Sequence, residues 1–184
     1  MLDKLFMVTG NENKLREARQ ILGIEMRQAE VVDLHEIQTI DVEMAAEKKA
    51  EEAYMVIKKP LIVEDSGLIF KSWNGMPGAL VKWFEESVGN EGLLKMLENF
   101  EDRSAVAQCF IGFHNGKEVK IAKGEVSGRI ADRIRGDNGF GWDQIFIPDG
   151  SDLSYAEMTP EEKNTISHRR KAFENLKVIL ASEA

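Results

Sequence analysis

The sequence predicts an α/β fold built on a mixed sheet, and three features carry that prediction. Two strand–helix units follow one another from the N-terminus, a third apolar strand comes next, and a long hairpin follows further on. Alternating strands and helices imply a sheet with helices laid over it. A hairpin adds antiparallel pairing to the parallel pairing of β-α-β units, so the sheet is mixed.

Taken in order, Leu5 to Val8 is a short apolar strand. Leu15, Ala18, Ile21 and Leu22 then recur at helical spacing until Gly23 closes the helix. The stretch "IEMRQAEVVDL" reads as a second strand. A helix from about Asp41 to Lys58 carries Ala46, Ala50, Ala53, Tyr54 and Ile57 on one stripe. "PLIVEDSGLIF" returns to strand, with Asp65-Ser66-Gly67 expected to break it, and "NGMPGALVKWFEES" and "GNEGLLKMLENF" predict two short helices. Asn115-Gly116, the dipeptide favoured in tight I′ turns, joins the two runs of the hairpin "SAVAQCFIGFHNGKEVKIAKGEVSGRI". Thr159, Pro160 and Glu162 form a capping box that starts a last helix, predicted to run to about Leu180 with Ile166, Phe173, Leu176 and Leu180 as its core stripe. No repeat or long linker divides residues 1–184, which predicts a single domain in which the hairpin region can form a second lobe.

Composition narrows the function. The chain has 184 residues, 43% hydrophobic and 30% charged, ordinary for a globular protein. No apolar run approaches the ~20 residues that span a bilayer. The N-terminus has no secretory pattern, so a cytoplasmic protein is expected. A single cysteine, Cys109, excludes an internal disulfide and a thiolate zinc cluster. A net charge of −8 opposes binding to nucleic acid, whereas a small anionic ligand is compatible if cations gather locally.

Candidate cations are present. Lys14 falls in the first turn of helix one, where the dipole already disfavours positive charge, and an anion there resolves the conflict. Thr9 and Asn11 offer hydrogen bonds in the same turn; the alternative is an exposed lysine beside a cap. Glu64-Asp65 ends an apolar strand, where α/β sheets bind ligands. A carboxylate there suits Mg²⁺ or a general base, and the alternative is a plain acidic turn. Glycines flank Phe140 in "GFGWDQIF", so the backbone either bends around a planar group or simply packs its aromatics. Arg169 lies on or beside the core stripe of the last helix, where a guanidinium needs an anionic partner, with Lys163 and His168 nearby; the alternative is a snorkelling arginine on a solvated face. Glu36, Lys49 and Lys82 are individually uninformative.

Together and in this order, "TGNENK", "DLHE", "VEDSGL", "GMPG…KWF", "GFGWDQIF" and "EKNTISHRRKAF" resemble the inosine triphosphate pyrophosphatase family, house-cleaning enzymes for non-standard purine nucleotides. "KWF" after "GMPG" is closer to its archaeal and eukaryotic branch. The sister Maf-type pyrophosphatases lack the "SHR" of the tail motif. The resemblance implies a long, twisted mixed sheet in two lobes with a central cleft, a homodimer, and Mg²⁺-dependent conversion of ITP, dITP or XTP to the monophosphate and pyrophosphate. Matched residue by residue, it implies that Thr9, Gly10, Asn11, Glu12, Asn13 and Lys14 hold the triphosphate, and that Lys49 and Lys82 reach the phosphates. Glu36 and Asp65 bind metal, Asp65 is the candidate base, and Ser66 contacts substrate. Phe140, Gly141, Trp142 and Asp143 form the base pocket, and Lys163, His168 and Arg169 contact the nucleotide. The choice of base between Glu64 and Asp65 stays open at this point. So do a nucleotide sensor without turnover and a structural interaction domain.

Overall fold

The computed structural model describes residues 5–23, 26–29 and 34–183. Its seven-stranded sheet has the order β2-β1-β3-β5-β6-β7, with β4 paired to the far end of β3. Here β1 is Phe6–Val8, β2 Arg27–Ala29, β3 Leu61–Phe70, β4 Pro77–Gly78, β5 Ser104–His114, β6 Val119–Ile130 and β7 Phe146–Pro148. β1 runs parallel to β2 and β3, and every other pairing is antiparallel, which makes the sheet mixed as expected.

Among the described residues, five α-helices cover it: α1 Glu12–Leu22, α2 Val42–Ile57, α3 Val81–Met96, α4 Pro160–Ile166 and α5 His168–Ser182. α1 and α5 bury Leu15, Ala18, Ile21, Phe173 and Leu176 against one face, meeting Met7, Ile62 and Ile111 of the sheet. α2 covers the opposite face with Ala46, Ala50 and Ala53, against Val63 and Phe110. A second core forms at the other end of the long strands, where Phe70, Ala107 and Val126 meet Leu93 of α3, Phe146 of β7, and Trp142 and Tyr155 on either side of β7. β3, β5 and β6 run through both cores, so two lobes share one set of strands. The middle of β3 lies between them.

The structure corrects several expectations. Asp65-Ser66-Gly67 does not break β3: these residues stay in register with Phe110, Cys109 and Gln108 of β5. The polar side chains leave the sheet while the backbone keeps its ladder. The two short helices expected in the middle region do form: they make up the two halves of α3, divided at Gly89, whose φ 66° and ψ −179° are not helical. Asn115-Gly116 sits in a four-residue turn rather than a two-residue one, because the ladder closes at His114 with Val119 and Asn115 Oδ1 accepts from the amides of Lys117 and Glu118.

The capping box at Thr159 forms, but the last helix stops at Ser167, whose extended backbone ends α4 while its side chain caps α5 by accepting from the Arg170 amide. Ile166 therefore leaves the core stripe and is 40% exposed. Part of the second predicted strand, "IEMRQAEVVDL", lies outside the described residues. No helix among the described residues is long and apolar enough to cross a membrane.

Candidate active site

A cleft of about 890 Å³ opens over the middle of β3. Local chain geometry aims residues into it. The turn Thr9–Asn11 follows β1, with Thr9 Oγ1 accepting from the Asn11 amide. Asn11 caps α1 by accepting from the amides of Asn13 and Lys14. Two first-turn amides are thus already capped, and the wall from Thr9 to Lys14 presents side chains more than free backbone donors. Glycines on both sides of Phe140 have positive φ, 75° at Gly139 and 61° at Gly141, a backbone that other residues rarely adopt. The loop they shape is held where the Phe140 amide donates to Asp143 Oδ2 at 2.8 Å.

Gly124 of β6 sets the depth of α5: a Cβ there would stand 2.0 Å from the His168 carbonyl oxygen and 2.3 Å from the Ala172 nitrogen. Glycine lets the helix start press onto the strand, which brings His168 and Arg169 under the cleft.

Beneath the cleft floor lies a charge-balanced array. Arg169 is 2% exposed, and its Nε and Nη2 donate to the two oxygens of Glu64 at 2.8 and 2.9 Å. Its Nη1 donates to Glu17 Oε2, and Nη2 also reaches Ser66 Oγ at 3.5 Å. Lys163, 3% exposed, donates to Glu17 Oε1 at 2.8 Å and Asp143 Oδ2 at 2.7 Å. Lys14 Nζ lies 3.4 Å from Glu64 Oε1. Three cations therefore face three anions, and the Phe140 ring lies over both Lys163 and Arg169. Burial alone would raise Glu64, but Arg169 and Lys14 hold it far below the usual carboxylate range. Burial, with Arg169 and Lys163, keeps His168 neutral, its ring packed against both Trp142 and Tyr155 and both ring nitrogens without a protein partner.

The opposite wall carries a looser set. Lys49 Nζ donates to Glu36 Oε1 at 2.5 Å and lies 3.8 Å from Asp65 Oδ2. Asp65 has a raised pKa, first because it is desolvated, with Glu36 and Glu64 adding to the rise against Lys14 and Lys49. Since strand neighbours point to opposite faces, Glu64 turns to α5 while Asp65 turns to α2. Glu64 has both oxygens locked by Arg169, whereas Asp65 has one oxygen on the Ser66 amide and only the distant Lys49 at the other. Glu36 and Asp65 form an oxygen-only donor pair around a single cation, which suits a hard metal ion completed by ligand phosphates. Lys82, its side chain 64% exposed, stands on α3 beside Glu86.

Of the residues singled out in the sequence, Thr9 to Lys14, Glu36, Lys49, Asp65, Ser66, Lys82, Phe140 to Asp143, His168 and Arg169 all line the cleft. Lys163 does not: it sits behind Phe140 in the buried array. Glu17 and Glu85 were not singled out. Glu17 was detectable, since it lies four residues before Ile21 at the edge of the apolar stripe of α1. Glu85, in a charged stretch of α3, gave no such signal.

A cleft over the centre of a mixed sheet, with lysines at one side and a cation-backed aromatic loop at the other, defines an α/β protein with a site for an anionic ligand that has a planar part. The sequence model of the Ham1 family matches residues 5–179. The inosine triphosphate pyrophosphatase of Yarrowia lipolytica is 45% identical over 182 residues, covering 96% of this chain and 95% of that one. The dITP/XTP pyrophosphatase of Saccharolobus solfataricus is 40% identical, covering 97% and 94%. The solved structure of the Staphylococcus aureus Ham1 protein superposes with a TM-score of 0.84 at 32% identity, covering 98% of this chain and all of that one. This chain belongs to the Ham1 family.

Proposed function

We propose that the chain is a Mg²⁺-dependent nucleoside triphosphate pyrophosphatase that hydrolyses ITP, dITP and XTP to the monophosphate and pyrophosphate. The observation that carries this reading is the partly exposed, loosely held carboxylate of Asp65 between Lys14 and Lys49 in a cleft that ends at Phe140. The names of the relatives agree with it.

Water attack on the α-phosphorus needs a base, and Asp65 takes the proton, since its raised pKa makes it a better acceptor than an ordinary aspartate. Glu64, held ionised and doubly bonded by Arg169, serves as an anchor instead. Lys14, Lys49 and Lys82 stabilise oxygens that gain charge as pyrophosphate leaves. Mg²⁺, which Glu36 and Asp65 would hold, neutralises phosphate charge when bound. Ser66, Thr9 and Asn11 supply hydrogen-bonding groups along the same wall.

At the other end the base packs on the Phe140–Asp143 loop. The neutral His168 ring has an N–H to donate to a purine 6-oxo oxygen, and Arg169 supports the same edge. An adenine 6-amino group would meet donors there, a buried mismatch that discriminates strongly. Lys163 acts through Asp143 and Phe140. The same reading takes the protein as a cytoplasmic homodimer of one-domain subunits, residues 1–184.

The test is pyrophosphate release with Mg²⁺ across ITP, XTP, dITP, GTP, ATP and TTP, with an EDTA control. The expected result is metal-dependent release from ITP, XTP and dITP. Release from TTP would move the assignment to the Maf-type enzymes, and nucleotide binding without release would make the protein a sensor.

A further inference from the structure

Glu85 is the cleft residue that the mechanism does not use. It lies on α3 one turn beyond Lys82, about 4.5 Å along the helix axis at 1.5 Å per residue. Its carboxyl rests against the aromatic loop: a Cβ on Gly141 would stand 2.9 Å from Glu85 Oε1 and 3.6 Å from Oε2. Oε1 is buried and has no hydrogen-bond partner in the protein. No cation among the described residues forms a salt bridge with it; Lys82 and Asn90, its helix neighbours, are taken by Glu86 and by the Gly141 carbonyl with Gln144. Burial, with Asp143 and Glu86 nearby, pushes its carboxyl up to about 7, opposed by Lys14. A buried acceptor without a partner costs stability, so its position calls for a donor from outside the chain.

The donor's identity follows from the place. Lys82 marks the phosphate side of α3 and Gly141 belongs to the loop that meets the base. What separates phosphates from base in a nucleotide is the sugar, whose hydroxyls are neutral donors. A carboxyl facing a ribose hydroxyl is a general solution in nucleotide sites. A phosphate at this point would be repelled. We propose that Glu85 is a specificity-determining residue that accepts a hydrogen bond from a ribose hydroxyl of the bound nucleotide. The inference rests on the reading of the cleft as a nucleoside triphosphate site.

The experiment measures calorimetric Kd values for inosine 5′-monophosphate and its 2′-deoxy and 3′-deoxy forms, which the enzyme does not turn over. It uses wild type, Glu85→Ala and Glu85→Gln, with guanosine 5′-monophosphate as a further probe. In wild type at about pH 8.5, where the Glu85 carboxyl is ionised, loss of one of the two hydroxyls should weaken binding about ten-fold, the effect of a hydrogen bond to a charged group. Glu85→Ala should weaken the parent nucleotide by the same factor and leave the corresponding deoxy form within about two-fold, so that the hydroxyl preference disappears, as expected of two partners in one interaction. Glu85→Gln, whose amide oxygen still accepts, should keep part of the preference. Equal losses for all three inosine forms, no loss, or a change confined to the guanosine nucleotide would overturn the proposal. Pyrophosphate release from ITP, recorded on the same wild-type preparation, separates the two claims. The hydroxyl pattern without turnover defeats the pyrophosphatase reading alone, and turnover without the pattern defeats the sugar contact alone. Wild type that neither binds these nucleotides nor releases pyrophosphate defeats both.

Discussion

Replacing Glu17 with alanine should be among the most damaging single changes outside the hydrophobic core. Glu17 is 5% exposed and accepts from Lys163 through one oxygen and from Arg169 through the other. Without it the array has two carboxylates, Glu64 and Asp143, for three cations, and one positive charge stays buried without compensation. Breaking a buried ion pair from one side costs about 3–5 kcal/mol. For a chain of this size each kcal/mol lowers Tm by about 2–4 °C, so Glu17→Ala should melt about 6–20 °C below wild type at neutral pH. The assay is thermal unfolding followed by circular dichroism, with the double variant Glu17→Ala/Lys163→Met beside it. Removing both charges restores the balance, so the double variant should melt above the single one. The sign with pH is fixed as well. Burial alone would raise the Glu17 carboxyl, but Arg169 and Lys163 together hold it below its ordinary 4.5. Its contribution is therefore complete above that value and is lost as pH falls through the lower folded pKa. The gap between variant and wild type should narrow in acid. A neutral-pH shift of less than about 2 °C, or a double variant less stable than Glu17→Ala, would refute the balanced-array argument.

Three further outcomes follow from the same geometry. Asp65→Asn should lower turnover on ITP by about 10²-fold or more, the range for removing a general base. Because burial disfavours the Asp65 charge, the same variant should not lower Tm; a near-normal rate would remove Asp65 from the mechanism. Gly124→Ala should cost about 1–3 kcal/mol by forcing backbone apart where His168 and Ala172 press on β6, read as a fall in Tm together with weaker ITP binding. His168 has a folded pKa well below its ordinary 6.5, so the unfolded chain takes up the proton first and stability falls as pH drops below about 6.5. His168→Phe should flatten that slope by up to about 1.4 kcal/mol per pH unit, measured by urea unfolding between pH 7 and 5.

The parts of the fold that the sequence made legible are those ruled by short-range chemistry. α2 was expected from about Asp41 to Lys58 and is observed as Val42–Ile57 between these two as caps, because an acidic N-cap and an alanine stripe are local signals. Gly23 closes α1 in the left-handed conformation that its lack of a Cβ permits. Errors arose where a distant partner decided. "EDSG" looks like a turn, yet eleven-residue β5 keeps it extended by pairing through it. Ser167 reads as a helical residue of one long helix, yet the close approach of α5 to Gly124 is met by a break there. The site shows the same division. Arg169 could be suspected from its position on the stripe, but its partners are 105 and 152 residues away, and nothing local names them. For Lys163, which the resemblance made a nucleotide contact, the pairing with Glu17 across 146 residues turns it inward.

Charge at the cleft bears on how a triphosphate would enter a protein of net charge −8. Each candidate phosphate-binding lysine has a carboxylate beside it: Lys14 has Glu64, Lys49 has Glu36 and Asp65, and Lys82 has Glu86. On charge alone the wall is close to neutral and offers a polyanion little net attraction. Under the proposed function, a divalent cation at Glu36 and Asp65 changes this, because the two carboxylates that occupy Lys49 are then neutralised and its ammonium is released to a phosphate oxygen. Metal and nucleotide should consequently bind with positive coupling, and linkage requires each to tighten the other by the same factor. Lys49→Met keeps both carboxylates but removes the cation that the metal competes with. In that variant Mg²⁺ alone should bind more tightly than in wild type, while the gain that Mg²⁺ gives to ITP binding shrinks. Calorimetric titrations of Mg²⁺ and of a non-hydrolysable ITP analogue, each with and without the other, measure the coupling directly; an unchanged coupling factor in Lys49→Met would show that Lys49 does not link the two.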